Sequence, residues 1–140
     1  MGEKKKYTLL VVDDEPIISD GLKSLFEEGF PDIFQVYNCY HPKKALELFK
    51  FRLPDVVVSD VKMPKMTGIE MAEEMRKIKP DIHVLFLSGY DEFDYVREAM
   101  RLGAIDYLLK HTYEESDLVE LLHKLDSIFL KEQTTGEGLK

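Results

Sequence analysis

Five residues that could take part in chemistry follow short apolar runs of the chain. Asp13 and Asp14 come after the first run, and Asp60 ends a run that contains three valines. Carboxylates held close together raise one another's pKa, and a hard cation such as Mg²⁺ relieves their repulsion. Ser88 and Lys110 end two later runs and could bind an anion that carboxylates alone would reject. The set suits Mg²⁺-assisted phosphoryl transfer to an aspartate.

Short apolar runs alternate with amphipathic stretches along the chain. The predicted strands are Tyr7–Val12, Ile33–Cys39, Asp55–Asp60, His83–Ser88 and Tyr107–Leu109. The predicted helices run from Pro16 to Gly29, from His41 to before Pro54, from Ile69 to Ile78, from Phe93 to Leu102 and from Glu114 to about Leu130. Strict alternation predicts an α/β fold, a parallel sheet with helices on both faces. Ligands bind at the carboxyl ends of such strands, where the five residues fall.

Composition indicates one globular domain with protein or cation partners. A chain of 140 residues is the size of one domain, and its apolar runs are too short to span a membrane. Its single cysteine excludes an internal disulfide framework and is typical of a reducing cytoplasm. A net charge of −8 argues against direct nucleic-acid binding. Residues 1–131 are expected to form the domain, and 132–140 a flexible tail or the start of a linker.

Four ordered motifs resemble the receiver domain of two-component response regulators, from about Tyr7 to about Leu130. They are Val-Val-Asp-Asp-Glu-Pro at 11–16, Pro-Asp-Val-Val-Val-Ser-Asp-Val-Lys-Met-Pro-Lys-Met-Thr-Gly at 54–68, Leu-Ser-Gly at 87–89 and Gly-Ala-Ile-Asp-Tyr-Leu-Leu-Lys at 103–110. The resemblance implies a doubly wound, flavodoxin-like sheet of five parallel strands in the order 2-1-3-4-5, with five helices. Residues 88–95 look like the subgroup whose receivers often precede an AraC-type helix-turn-helix output domain.

The same resemblance implies a phospho-acceptor and a metal site. Asp60 would accept the phosphoryl group from a phosphohistidine of a sensor histidine kinase. Asp14 and Asp60 would bind Mg²⁺ directly and Asp13 through water, with the backbone carbonyl of Lys62 completing the protein ligands.

Further residues would respond to the phosphoryl group. Ser88 and Lys110 would contact it, and Tyr107 would be the switch aromatic that moves inward when Ser88 is drawn to the phosphate. Lys62 and Tyr90 would tune how fast the phosphoaspartate hydrolyses. The fourth helix, fifth strand and fifth helix, from Phe93 to Phe129, would form the switched surface.

The implied protein is a signalling switch that catalyses its own phosphotransfer and dephosphorylation, not an enzyme that turns over an external substrate. It would act in the cytoplasm, in transcriptional regulation, with a sensor histidine kinase as partner and no contact with a membrane. Phosphorylation would allow a homodimer to form. DNA would be reached only through an output domain that this sequence does not contain.

One position departs from the family pattern. A proline joined by a cis peptide bond usually follows the lysine, whereas His111 follows Lys110 here. A cis bond without proline costs roughly 3 kcal/mol, which favours a trans bond between Lys110 and His111.

Three other functions share parts of this pattern. A phosphohydrolase of the haloacid-dehalogenase kind would have Asp-x-Asp after its first strand, where this chain has adjacent Asp13 and Asp14. An FMN carrier would not place acids in the first turn, where they would repel the flavin phosphate. A receiver-like module that is never phosphorylated is disfavoured because the acids, the acceptor and the lysine are all present.

Overall fold

The computed structural model describes residues 6–89 and 91–138. The strands are β1 (Tyr7–Val12), β2 (Phe34–Cys39), β3 (Val56–Asp60), β4 (His83–Ser88) and β5 (Asp106–Leu109). The helices are α1 (Pro16–Gly29), α2 (Pro42–Arg52), α3 (Gly68–Ile78), α4 (Phe93–Arg101) and α5 (Glu115–Gly138). The five strands form one parallel sheet in the order β2-β1-β3-β4-β5, which confirms the predicted fold. The chain divides into two compact units, Met1–Lys110 and His111–Lys140.

The first unit contains the whole sheet, and residues on both faces of the sheet are buried. Residues of one face, such as Leu10 and Val57, join Phe49 of α2 and Met75 of α3 in one apolar cluster. Alternate residues such as Val11 point to the opposite face and are equally buried. Two buried faces explain why these strands are continuous apolar runs instead of alternating ones.

The register of the central strands brings their carboxyl ends level. Val12 of β1 lies opposite Ser59 of β3, so Asp13 and Asp60, one residue further along, leave the sheet side by side. Ser88 of β4 lies opposite Leu109 of β5, which places Lys110 at the same edge.

The start of α3 is fixed against the end of β3. Thr67 Oγ1 accepts a hydrogen bond from the Glu70 amide at 3.1 Å, and Glu70 Oε1 accepts one from the Thr67 amide at 3.1 Å. This reciprocal capping box satisfies two amides that the helix itself leaves without acceptors. The Gly68 amide donates to the Val61 carbonyl at 3.0 Å, which fastens the helix start just beyond Asp60.

The second unit consists mainly of α5. Leu118, Leu121, Leu125 and Phe129 recur at helical spacing and are all buried. The helix continues to Gly138, so the predicted end of this helix near Leu130 is wrong. Extending an existing helix fixes one residue for each new hydrogen bond, and Lys131, Glu132 and Gln133 are good helix formers.

Within residues 6–89 and 91–138, no helix has both the length and the apolar character that a membrane span requires.

Candidate functional site

Three carboxylates meet at the carboxyl edge of the sheet. Asp13 follows β1 and is fully buried, Asp60 ends β3 and is 2% exposed, and Asp14 is half-buried beside them. One carboxylate oxygen from each lies within 4.8 Å of the others. Acidic side chains are rarely buried unless they are paired, so this edge requires a cation.

Lys110 supplies one positive charge to the cluster. Its side chain leaves the end of β5 and crosses the end of β4, and it is only 6% exposed. Its Nζ lies 3.0 Å from Asp60 Oδ2, 3.2 Å from Asp13 Oδ1 and 2.9 Å from Glu15 Oε1. The predicted meeting of the acids with Lys110 therefore occurs in the structure.

Asp13 and Asp60 are held in an environment that favours their neutral forms. Burial raises the pKa of Asp60, the negative charge of Asp13 raises it further, and the opposing effect of Lys110 leaves it at about 7. Burial also raises the pKa of Asp13, by more than the Glu15 amide and Lys110 lower it. Burial lowers the pKa of Lys110, but its bonds to Glu15 and Asp60 outweigh burial and raise it overall. The raised pKa values of Asp13 and Asp60 thus indicate that this edge holds more acidic groups than Lys110 alone neutralises.

Asp60→Asn is expected to stabilise the metal-free protein at pH 8. The folded state raises the pKa of Asp60 from 3.8 to about 7 and therefore favours the protonated carboxyl. The contribution of Asp60 to the free energy of unfolding is thus complete below pH 3.8 and is lost as the pH rises through 7. The asparagine avoids that loss. We expect a gain of about 1–3 kcal/mol in the free energy of unfolding, within the upper bound of about 4 kcal/mol set by the pKa change.

Urea unfolding in chelator at pH 4 and pH 8 measures this difference. The gain in the free energy of unfolding of Asp60→Asn should be largest at pH 8 and vanish near pH 4. The exposed Asp81 provides a matched control, since Asp81→Asn should change stability by less than about 0.5 kcal/mol at both pH values. Equal effects of the two substitutions at pH 8 would contradict the charged state assigned to Asp60.

The acidic cluster fits a hard divalent cation. Among the residues that the structure describes, Asp13 Oδ2 is buried and receives no hydrogen bond; the nearest cation, Lys110 Nζ, lies 3.2 Å from it. An oxygen in this state is suited to a metal or a metal-bound water. Carboxylate oxygens are also the ligands that Mg²⁺ takes in proteins. The donor set of Asp13, Asp14 and Asp60 is therefore chemically suitable for Mg²⁺.

Of the two predicted switch residues, Ser88 ends β4 at this edge, whereas Tyr107 lies within β5, opposite Phe86. The buried Ser88 Oγ donates to the Gly89 carbonyl at 2.9 Å. The Tyr107 side chain, on β5, is 44% exposed and so faces solvent.

Of the two residues predicted to tune hydrolysis of the phosphoaspartate, the structure describes Lys62. The Lys62 amide donates to Asp60 Oδ1 at 3.3 Å, and its exposed side chain places Nζ 5.8 Å from the centre of the Tyr95 ring. Tyr90 lies outside the described residues. The contact with the Tyr95 ring was not predicted, because Tyr95 lies in α4, seven residues after the end of β4, and carries no sequence signal for this contact.

Sequence reasoning also missed Glu15. Its position before α1 predicts a helix cap, but its carboxylate forms an ion pair with Lys110 instead. No cis peptide bond occurs among the described residues, so the bond between Lys110 and His111 is trans, as its energy favours. The histidine has not prevented Lys110 from reaching the acids.

Comparison with known proteins agrees with this geometry. The family description "response regulator receiver domain" matches residues 9–123. Among curated relatives, the uncharacterized transcriptional regulatory protein YesN of Bacillus subtilis is 34% identical over 122 residues, which are 85% of this chain and 33% of that protein. The transcriptional regulatory protein HptR of Staphylococcus aureus is 29% identical over 128 residues, 91% of this chain and 50% of that protein. This chain thus spans a third to a half of their lengths.

Solved structures give the same result. The REC domain of AraT, a response regulator from Geobacillus stearothermophilus, superposes with a TM-score of 0.82 at 32% identity, covering 92% of this chain and 99% of that one. A response regulator receiver domain protein from Clostridium thermocellum gives a TM-score of 0.77 at 29% identity, covering 89% and 98%. With the family pattern across most of its length, the sheet order and the acid–lysine cluster, the chain belongs to the receiver domains of response regulators.

Proposed function

We propose that Asp60 accepts a phosphoryl group from a phosphohistidine of a sensor histidine kinase and that the modified domain regulates transcription. The observation that carries this proposal is the convergence of two buried carboxylates, Asp13 and Asp60, on the buried ammonium of Lys110. An isolated structural ion pair needs one acid. A second buried acid beside it costs stability, and phosphoryl transfer to one of them accounts for that cost.

Each side chain has a defined part in the transfer. A carboxylate oxygen of Asp60 forms the new P–O bond while the bond from phosphorus to the donor imidazole nitrogen breaks, and that nitrogen retains the electron pair and is protonated by solvent. The Lys62 amide holds Asp60 Oδ1, which orients the carboxylate. Lys110 donates to the negative oxygens of the incoming group.

Mg²⁺ is the cofactor that this donor set supports. Asp14 and Asp60 would bind it directly, Asp13 through water, and the Lys62 carbonyl would complete the protein ligands. When bound, the metal neutralises charge on the transferred phosphoryl oxygens. The buried Asp13 oxygen without a hydrogen bond supports this assignment.

The signal would pass from Ser88 to Tyr107. Phosphorylation adds about −1 to −2 of charge and strong acceptor oxygens beside Ser88, whose hydroxyl would leave the Gly89 carbonyl to donate to them. Tyr107, now solvent-facing, would turn inward into the vacated space, a shift between two pre-existing packing arrangements. The surfaces of α4, β5 and α5 would change as a result and control dimerisation or an output domain.

The relatives support a role for this domain within a longer regulatory protein. They are transcriptional regulatory proteins two to three times as long as the matched region, so we assign residues 1–131 to the receiver domain and DNA contact to an output domain beyond this sequence. A switch of this kind works in the cytoplasm, where a histidine kinase can reach it, and catalyses its own phosphotransfer and dephosphorylation.

Phosphorylation from acetyl phosphate and Mg²⁺, followed by intact mass, tests the proposal. We expect the wild type and the control Asp81→Asn to gain one phosphoryl mass, and Asp60→Asn to gain none. Chelation of the metal should abolish the gain. Absence of the gain in a wild-type protein with its native circular dichroism spectrum would contradict the proposed function.

The phosphorylated state is expected to be long-lived. The family resemblance gives positions 62 and 90 the tuning of phosphoaspartate hydrolysis. The Lys62 side chain, whose Nζ lies 5.8 Å from the centre of the Tyr95 ring, would restrict the approach of water to the acyl phosphate. Lys62→Ala should therefore shorten the lifetime, followed by the decay of the phosphorylated mass. A wild-type half-life of seconds in Mg²⁺ would contradict this expectation.

A further inference from the structure

Glu15 occupies the position of a helix cap without acting as one. It precedes α1 with extended backbone angles, φ −92° and ψ 109°, as N-cap residues do. Its side chain makes no hydrogen bond to the first turn of the helix. Its carboxylate is instead turned toward the acidic cluster, where Oε1 lies 2.9 Å from Lys110 Nζ. The usual stabilisation of the helix start is replaced by a contact with the site.

This contact uses the last donor of Lys110. A lysine ammonium carries three N–H donors, and Nζ lies within hydrogen-bond distance of three carboxylates, those of Asp13, Glu15 and Asp60. An incoming phosphoryl oxygen can bind Lys110 only after one of the three is released. Glu15 also brings a further negative charge toward the place where a phosphoryl anion must enter.

Glu15 is the acid best able to leave. Its side chain is 50% exposed, whereas those of Asp13 and Asp60 are buried at the sheet edge. Asp13 Oδ1 is held further by the Glu15 amide at 2.8 Å, and Asp60 is the acceptor itself. A released Glu15 carboxylate regains water at little cost, while a released Asp13 carboxylate would remain buried.

We propose that Glu15 is a positioning residue that competes with the phosphoryl group for Lys110 and so restrains phosphorylation of Asp60. The inference rests on the proposed function and deepens it. In the resting state Glu15 satisfies the third donor of Lys110. In the phosphorylated state a phosphoryl oxygen takes that donor, and the Glu15 carboxylate turns to solvent.

Glu15→Gln tests the competition because it keeps the length of the side chain and removes its charge. Glu27→Gln is the matched control. Glu27 lies on α1, the helix that Glu15 precedes, and makes an exposed ion pair with Lys23. Its substitution changes the net charge equally. The first readout is the rate at which each protein gains phosphoryl mass from acetyl phosphate and Mg²⁺. The second is the Kd for trifluoroberyllate, a phosphoryl analogue, measured by calorimetry with Mg²⁺ present.

We expect Glu15→Gln to be phosphorylated about two- to tenfold faster than the wild type and to bind trifluoroberyllate about two- to tenfold more tightly, as suits the loss of one partly exposed competing ion pair. Glu27→Gln should match the wild type in both. A purely structural role for Glu15 would lower stability without tightening trifluoroberyllate binding.

The outcomes separate this inference from the proposed function. If the wild type is phosphorylated and Glu15→Gln is equally fast or slower, with unchanged or weaker trifluoroberyllate binding, the competition is overturned and the proposed function stands. If the wild type neither gains phosphoryl mass nor binds trifluoroberyllate, both are overturned.

Discussion

Lys110→Met is expected to lower the free energy of unfolding by about 3–5 kcal/mol at pH 8 in the absence of divalent cations. The substitution keeps the length of the side chain and removes the ammonium that lies 3.0 Å from Asp60 and 3.2 Å from Asp13. Both carboxylates are buried, and removing one partner of a buried ion pair leaves uncompensated charge, which has a cost of this size. Urea denaturation in chelator measures the loss.

The loss should depend on pH and on metal in a defined way. Below the raised pKa of Asp60 the carboxyl is protonated and no longer needs the cation, so the loss should shrink as pH falls from 8 to 5. Mg²⁺ should restore part of the stability at pH 8, because it supplies positive charge to the same oxygens. The double variant Lys110→Met with Asp60→Asn should also lose less than Lys110→Met alone.

Lys77→Met is the matched control for the Lys110 experiment. Lys77 makes a single surface ion pair with Glu74 at 2.9 Å, and its side chain is 72% exposed. Exposed pairs contribute about 0–1 kcal/mol, so this variant should unfold almost as the wild type does. If both lysine variants lost a similarly small part of the free energy of unfolding, the ion pairs of Lys110 would not be what stabilises the buried acids.

Gly68→Ala is expected to destabilise the protein by about 3 kcal/mol and to slow phosphorylation of Asp60. A Cβ at position 68 would overlap the backbone carbonyl oxygen of Asp60 and lie 2.9 Å from Ser59 Oγ. A backbone atom at the end of a buried strand cannot move aside as a flexible side chain does, so the cost falls at or beyond the upper part of the usual range for overpacking, about 1–3 kcal/mol. The acceptor would be displaced with its carbonyl.

Gly21→Ala provides the control because it makes the same chemical change within a helix. An ideal Cβ at Gly21 has no atom within 4 Å, and alanine in a helix interior is more stable than glycine by about 0.5–1 kcal/mol. Thermal unfolding and the acetyl phosphate reaction measure both variants. If Gly68→Ala unfolds and reacts as the wild type does, the close approach of α3 to Asp60 does not position the acceptor.

The sequence was sufficient to predict the sheet and most of the site. Alternation of apolar runs with amphipathic stretches determines a parallel sheet, and in a parallel sheet the residues after each strand share one edge. That argument places Asp13, Asp60 and Lys110 together before any coordinates are known. It works because the positions follow from backbone topology and not from side-chain rotamers.

The features that were not predicted depend on choices that the pattern leaves open. The Glu15 carboxylate could cap α1 or bind Lys110, and both fit the sequence, so only the folded position of Lys110 decides between them. The contact of Lys62 with the Tyr95 ring depends on how the first turn of α4 lies against the loop after β3, which the pattern does not specify. The end of α5 was misplaced because no proline follows Leu130, and a weakly patterned polar stretch continues a helix as readily as it ends one.

Locating the phosphoryl group along the chain tests most directly whether Asp60 is the acceptor. After reaction with acetyl phosphate and Mg²⁺, borohydride reduction converts an acyl phosphate of aspartate to homoserine, and peptide mass spectrometry then locates the altered residue. Homoserine at position 60, with Asp13 and Asp14 unchanged, is the result that we predict. Homoserine at position 13 or 14, or none in a protein that has gained the phosphoryl mass, would contradict Asp60 as the acceptor.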